Sequence, residues 1–203
     1  MTAQPTSVIF DIGKVLIEWD PRALFEKLID DAEELDWFLA EVVSFGWHHE
    51  HDRGMPFAAS LAAKAMEYPD YTNLIYAYRE RWRETIPGPI KGVVDILRTL
   101  DNKGVSCFAL TNYSAETWPE LEAEFDWIKC FRDIVVSGRE GLVKPEMPIY
   151  HLARERFGLR AGEGLFIDDR LENITSGEAA GFVGHHFIDV KTLEADLKER
   201  NLL

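Results

Sequence analysis

The sequence predicts an α/β fold in which an all-helical segment interrupts a parallel sheet. Three observations carry this. From residue 88 onward, short β-branched and aromatic runs alternate with amphipathic helical stretches, the pattern of strand–helix units with right-handed crossovers and helices on both faces. A run of the same kind, Val8, Ile9 and Phe10, stands near the N-terminus and ends on Asp11. Between the two, residues 19–85 show helical spacing and no strand signal. The predicted core is therefore 1–16 with 88–203, and 17–87 is an inserted helical unit.

Each element has its own signal. After the first strand, Pro21 can open a helix through Leu24, Phe25, Leu28 and Ile29. Residues 32–43 repeat apolar side chains at helical spacing, and Gly46 interrupts. Residues 56–66 and 71–82 are two further helices, closed by Pro87, Gly88 and Pro89. The insertion holds Trp19, Trp37, Trp47 and Trp82, four of the six tryptophans, read as a compact aromatic core with one or two facing a ligand. Residues 93–100 form a helix stopped by Gly104, and 105–110 a strand ending in Thr111 and Asn112. Ser114 can cap a helix starting at Ala115. Ile134, Val135 and Val136 form a strand ending at Ser137 and Gly138, followed by a loop with Lys144 and a helix over 148–157. Leu165, Phe166 and Ile167 form a strand ending in Asp168 and Asp169. A helix over 172–180, a strand near 183–187 and a helix over 193–200 follow.

Composition bounds the function. With 203 residues, 46% hydrophobic and 29% charged, the chain is globular rather than disordered. A net charge of −14 argues against nucleic acid or an anionic membrane as partner. A small anionic substrate stays compatible with it, because local cations or a metal can reverse the field at a site. Cys107 and Cys130 fit no metal-ligand spacing and read as reduced thiols. Residues 1–5 show neither a basic region nor a long apolar segment, so no signal peptide is expected, and no window is apolar enough to span a membrane. The expected compartment is the cytoplasm. Oligomeric state is not legible.

The polar residues at strand ends are the candidates for chemistry. In a parallel sheet, carboxyl ends of strands converge on one crevice. Asp11, Thr111 with Asn112, and Asp168 with Asp169 all fall there, with Lys144 in the loop after another strand. A carboxylate can form a covalent ester. A hydroxyl and an ammonium can hold a phosphoryl group, and clustered acids make an all-oxygen site suited to Mg²⁺. Elsewhere, His48, His49, Glu50, His51 and Asp52 fit no common zinc pattern and read as a polar loop or helix end. Arg22 and Arg53 are cations that could point into the cleft as substrate-binding groups.

With these residues in order, the chain resembles the haloacid dehalogenase-like hydrolase superfamily. Residues 10–16, the run Ala109, Leu110, Thr111 and Asn112, the pair Lys144 and Pro145, and residues 166–173 resemble its four motifs, in order and at sensible spacing. The resemblance implies a Rossmann-like core, with the helical insertion as a cap closing over the crevice. It implies Asp11 as nucleophile and Thr111 as binder of the transferring group, helped by Asn112. Lys144 neutralises charge. Asp169, with Asp168 beside it, Asp11 and the Gly13 carbonyl are the implied Mg²⁺ contacts, and Glu172 and Asn173 support them from behind.

One departure matters. Family phosphatases usually carry an aspartate two residues after the nucleophile, which protonates the leaving group and then activates water. Here that position is Gly13, followed by Lys14. Either the acid is absent, at a cost on the order of 10²–10⁴ in rate unless replaced by a cap residue or water, or glycine is needed for a positive φ. The family's 2-haloacid dehalogenases also lack that aspartate, but need no metal and carry no acidic pair in the fourth motif. The expected function is a Mg²⁺-dependent phosphatase of a small metabolite such as a sugar phosphate. A metal-independent 2-haloacid dehalogenase and a low-activity binding or regulatory protein are the alternatives.

Overall fold

The computed structural model describes residues 4–203. The stretch read for a signal peptide therefore lies partly, at residues 1–3, outside the described residues. The chain begins with β1 (Ser7–Phe10), every residue of which is buried. The helical segment follows, with α1 (Arg22–Phe25), α2 (Ala32–Trp37) continued by a π-helical turn (Phe38–Val42), α3 (Phe45–Asp52), α4 (Phe57–Glu67) and α5 (Thr72–Glu80). The rest of the chain is α6 (Lys91–Asn102), β2 (Ser106–Thr111), α7 (Trp118–Glu124), β3 (Asp133–Val136), α8 (Ser137–Glu140), α9 (Met147–Arg156), β4 (Gly164–Asp168), α10 (Leu171–Ala179), β5 (Val183–His186) and α11 (Val190–Glu199).

The five strands form one parallel sheet in the order β3-β2-β1-β4-β5, which puts β1 at the centre. Side chains alternate across it with the period of a strand. Val8 and Phe10 join a core with Val93, Leu97, Leu193 and Leu197, so α6 and α11 cover that face. Ile9, Phe108 and Phe166 pack with Ile149, Tyr150 and Ile174, so α9 and α10 cover the other. Burial on both faces explains why the strands read as continuous apolar runs.

Two chain crossings join the helical segment to the sheet, and they hydrogen-bond to each other. Ile90 N–H donates to the Leu16 carbonyl (2.8 Å), Glu18 N–H to Gly88 (2.9 Å) and Asp20 N–H to Thr85 (2.8 Å). Inside the segment Phe25, Phe38, Phe57, Tyr78 and Trp82 form the aromatic core, each at most 3% exposed. Among the described residues no helix is long and apolar enough to cross a membrane.

Several sequence expectations need correction. Gly46 does not interrupt a helix but lies in the first turn of α3, because the Ser44 hydroxyl accepts from Trp47 N–H (3.3 Å) and fixes the start two residues earlier. Residues 48–52 are accordingly the C-terminal end of a helix, the second of the two readings the sequence allowed. The helix after Pro21 is one turn long and ends at Phe25, not Ile29. The expected helix over 71–82 is shorter, flanked by 3₁₀ turns at Pro69–Tyr71 and Trp82–Thr85. Ser114 caps no helix. Its hydroxyl accepts from Glu116 N–H (3.2 Å) in a turn, and α7 starts at Trp118 with Pro119 in its first turn, where proline needs no hydrogen bond.

Candidate functional site

The site lies at the carboxyl ends of the three central strands. Phe10 is in register with Ala109 of β2 and Ile167 of β4, so Asp11, Thr111 and Asp168 emerge side by side. Asp11 is 8% exposed, and its Oδ1 accepts from the Ile12 N–H at 2.7 Å. Lys144 reaches in from the loop after α8, with its Nζ 3.0 Å from Asp11 Oδ1 and 2.6 Å from Asp168 Oδ2. Only 2% exposed, it is held at its backbone: Asn112 Nδ2 donates to the Lys144 carbonyl (2.9 Å) and Lys144 N–H donates to Asn112 Oδ1 (2.8 Å). Both ends of the Asn112 amide are thereby occupied. Its side chain orders the Lys144 loop rather than facing a substrate, although the residue lines the cavity.

Asp168 is fully buried and saturated. It accepts from Lys144, from Arg170 N–H (2.8 Å) and from Asn173 Nδ2 (2.9 and 3.0 Å). Asn173 thus sits behind the acids, as expected. Glu172 does not: it is exposed and paired with the Arg170 guanidinium. Asp169 is half-buried and lines the cavity, and one carboxylate oxygen each from Asp11, Asp168 and Asp169 lie within 4.8 Å of one another. Three acids thus cluster beside one buried ammonium, which contacts Asp11 and Asp168. Burial pushes the Asp11 carboxyl up to about 7, with Lys144 opposing and Asp168 and Asp169 adding to the rise. Asp169 is also raised, first by burial and then by Asp168. Burial alone would lower Lys144, but Asp11 and Asp168 outweigh it and hold the ammonium charged. The donor set is hard oxygen with excess negative charge, which fits Mg²⁺. Thr111 Oγ1 is buried without a hydrogen-bond partner, a hydroxyl left free beside these acids.

Gly13 lines the cavity, and a Cβ built on it meets nothing within 4 Å. The left-handed residue of this turn is its neighbour Lys14 (φ 59°), so the backbone does not require glycine for a positive φ. Lys14 and Arg170 both line the cavity and, with Lys144, supply positive charge in a chain of net −14. Arg22 and Arg53, expected at the cleft, are not among its lining residues. Arg22 pairs with Asp36 and borders an adjoining cleft that shares Trp19, Phe45 and His48 with the cavity, and Arg53 pairs with Glu146.

The cavity, about 350 Å³, lies between the sheet and the helical segment. The helical segment lines it with the rings of Trp19, Phe45 and Trp82, and the loop after β2 adds Tyr113, so two of the four tryptophans of the segment face it. His48, His49 and Asp52 of α3 complete the segment's wall, a contribution the sequence reading missed. Positions i, i+1 and i+4 of one helix fall within an arc of about 100°, the width of one helix face, and the polar run carried that signal. Ser137 ties this wall to the sheet: its hydroxyl donates to the Asp52 carbonyl (2.7 Å) and accepts from Tyr113 N–H (2.9 Å).

Comparison with known proteins agrees with this geometry. A profile of haloacid dehalogenase-like hydrolases matches residues 6–181. A sesquiterpene phosphatase of Aspergillus oryzae is 27% identical over 184 residues, spanning 90% of each chain. Among solved structures, an enzyme of that hydrolase family from Bacteroides thetaiotaomicron, in complex with magnesium and inorganic phosphate, superposes with a TM-score of 0.70 at 20% identity, covering 93% of this chain and 98% of its own. L-2-haloacid dehalogenase from Xanthobacter autotrophicus superposes with a TM-score of 0.65 at 15% identity, covering 96% and 83%. The structural likenesses establish the fold.

Proposed function

The chain belongs to the haloacid dehalogenase-like hydrolases, and from that premise we propose that it is a Mg²⁺-dependent phosphatase of small phosphate monoesters, working through a phosphorylated Asp11. The observation that carries this reading is the charge imbalance at the strand ends. Asp11, Asp168 and Asp169 cluster beside one buried ammonium, an arrangement costly without a cation. A haloacid dehalogenase, which expels halide without a metal, has no use for it.

In this mechanism Asp11 attacks phosphorus and the ester oxygen leaves; water then attacks the aspartyl phosphate and releases inorganic phosphate. Lys144 favours the ionised form of Asp11 against the opposing effect of burial and faces the charge that builds on the phosphoryl oxygens. Thr111 Oγ1, free of any protein partner, donates to one of those oxygens. Lys14 and Arg170 draw the dianion in. Asn112 and Asn173 act behind the site, the first fixing the Lys144 loop and the second fixing Asp168. Asp11, Asp169 and the Gly13 carbonyl would hold Mg²⁺, which would neutralise phosphoryl charge. The helical segment acts as the cap that reads the rest of the substrate.

The sequence pointed to a sugar phosphate, but the walls favour an apolar body. Trp19, Phe45, Trp82 and Tyr113 offer rings rather than hydroxyl-binding groups, and the relative from Aspergillus oryzae is a sesquiterpene phosphatase. A panel of prenyl, alkyl and sugar phosphates with and without Mg²⁺, run beside 2-chloropropionate, tests the reading. The expected result is Mg²⁺-dependent phosphate release with the highest kcat/KM for the apolar esters. Metal-independent chloride release would select the dehalogenase, and a preference for sugar phosphates would overturn the apolar assignment.

A further inference from the structure

The proposed chemistry lacks a proton donor on the sheet side. Gly13 carries no side chain, Thr111 is not acidic, and Lys144 is locked between two carboxylates. Resting on the phosphatase reading, we propose that His49 of α3 is the general acid and base of the reaction, positioned by Asp52, so that the cap supplies the group absent at residue 13.

Elimination along α3 singles out His49. Asp52 is 3% exposed, and its Oδ2 lies 3.6 Å from both His48 Nε2 and His49 Nδ1. His48 has its Nδ1 hydrogen-bonded and its Nε2 turned to Asp52. Burial holds the Tyr78 hydroxyl well above its usual range and lowers the His48 imidazole, so both stay neutral. Tyr78 O–H then donates to His48 Nδ1 (2.6 Å), which leaves the His48 N–H on Nε2, facing Asp52. His48 is also clamped between the rings of Trp19 (4.5 Å) and Trp82 (5.6 Å). It is a wall.

His49 differs. Its side chain keeps 21% of its exposure, Nδ1 is buried beside the Asp52 carboxylate without a hydrogen bond, and no protein group bonds its Nε2. The ring lies nearly parallel to Phe45 (6.0 Å, 17°), which fixes its plane. A histidine with one nitrogen toward a carboxylate and the other free at the cavity is oriented for proton transfer. Asp52 cannot drift, because Ser137 pins the end of α3 to the sheet.

The proton balance closes. As Asp11 bonds to phosphorus and the phosphorus–ester oxygen bond breaks, the leaving oxygen takes the proton from His49 Nε2 and departs as the alcohol. The neutral imidazole then accepts a proton from the water that attacks the aspartyl phosphate, and phosphate leaves as Asp11 is regenerated. The net reaction is ester plus water to alcohol plus phosphate, with His49 returned to its protonated form.

The test compares two esters that differ in their need for a proton. His49→Gln should slow the first-turnover release of alcohol from hexyl phosphate by about 10²–10⁴ and leave the first-turnover burst of 4-nitrophenolate within a few-fold, because nitrophenolate leaves without protonation, while hydrolysis of the aspartyl phosphate slows alike after either ester. Retained aryl activity shows that the variant folds. Gly13→Asp in the same background should recover alkyl turnover, since a Cβ at residue 13 meets nothing within 4 Å. Equal losses in the first-turnover rate on both esters, or no loss on either, overturn the assignment and leave the phosphatase standing. A wild type that releases phosphate from neither ester overturns both.

Discussion

Replacing Lys144 by methionine isolates the electrostatic core of the site. The ammonium is 2% exposed, 2.6 Å from Asp168 Oδ2 and 3.0 Å from Asp11 Oδ1. Methionine keeps an unbranched chain of similar length, so the variant removes charge with little loss of packing. Leaving one side of a buried ion pair uncompensated costs about 3–5 kcal/mol. For a chain of this size each kcal/mol moves Tm by about 2–4 °C, so the melting temperature should fall by roughly 6–20 °C at neutral pH. The deficit should also depend on pH. Asp11 already titrates at about 7 when folded, against 3.8 for the free side chain, so folding favours its protonated form, and ionising it as pH rises between those values costs stability. Without Lys144 that cost grows, so the gap between variant and wild type should be larger at pH 8 than at pH 5. Thermal melts of both proteins at the two pH values, without added metal, measure it. A Lys144→Met protein that melts with the wild type at pH 8 would refute the burial of uncompensated acids.

Two further predictions follow from other parts of the molecule. His51, fully buried between Phe57 (4.0 Å) and Trp47 (4.6 Å) with neither nitrogen hydrogen-bonded, is pushed down by burial to about 4. Since the free imidazole titrates near 6.5, stability present above that pH is lost as pH falls toward 4, by about 3 kcal/mol. His51→Phe should remove that share of the acid sensitivity, and denaturant melts of both proteins from pH 7 to pH 4 would show parallel losses if it does not. Mg²⁺ should raise the melting temperature of the wild type by binding only the folded chain. Asp169→Ala should abolish the shift, and a shift that survives the substitution would place the metal elsewhere.

The strand-end chemistry was legible in the sequence because it is local. Asp11 and the pair Asp168 and Asp169 each directly follow an apolar run, and a parallel sheet leaves such residues one place to go. What was not legible depends on partners distant in sequence. Arg22 and Arg53 looked available for a substrate, yet their carboxylates, Asp36 and Glu146, stand 14 and 93 residues away. Asn112 looked like a binding group, but its amide is satisfied by the backbone of Lys144, 32 residues on. The cap wall failed for a related reason. Within the run 48–52, residues 48, 49 and 52 have the spacing of one helix face, but only the Ser44 cap, which makes it a helix, and Ser137, which docks it, turn that face toward the cavity. At Gly13 two explanations were open, and the positive φ at Lys14 leaves the missing side chain as the relevant fact.

The central claim is that the phosphoryl group passes through Asp11. Rapid acid quench of the enzyme turning over a phosphate ester radiolabelled at phosphorus, followed by peptide mapping, tests it directly. The account predicts hydroxylamine-labile label on the peptide carrying Asp11 while substrate remains, and neither label nor turnover in Asp11→Asn, whose amide is nearly isosteric but a poor nucleophile. Steady turnover in Asp11→Asn at the wild-type rate, or label confined to another residue, would contradict it.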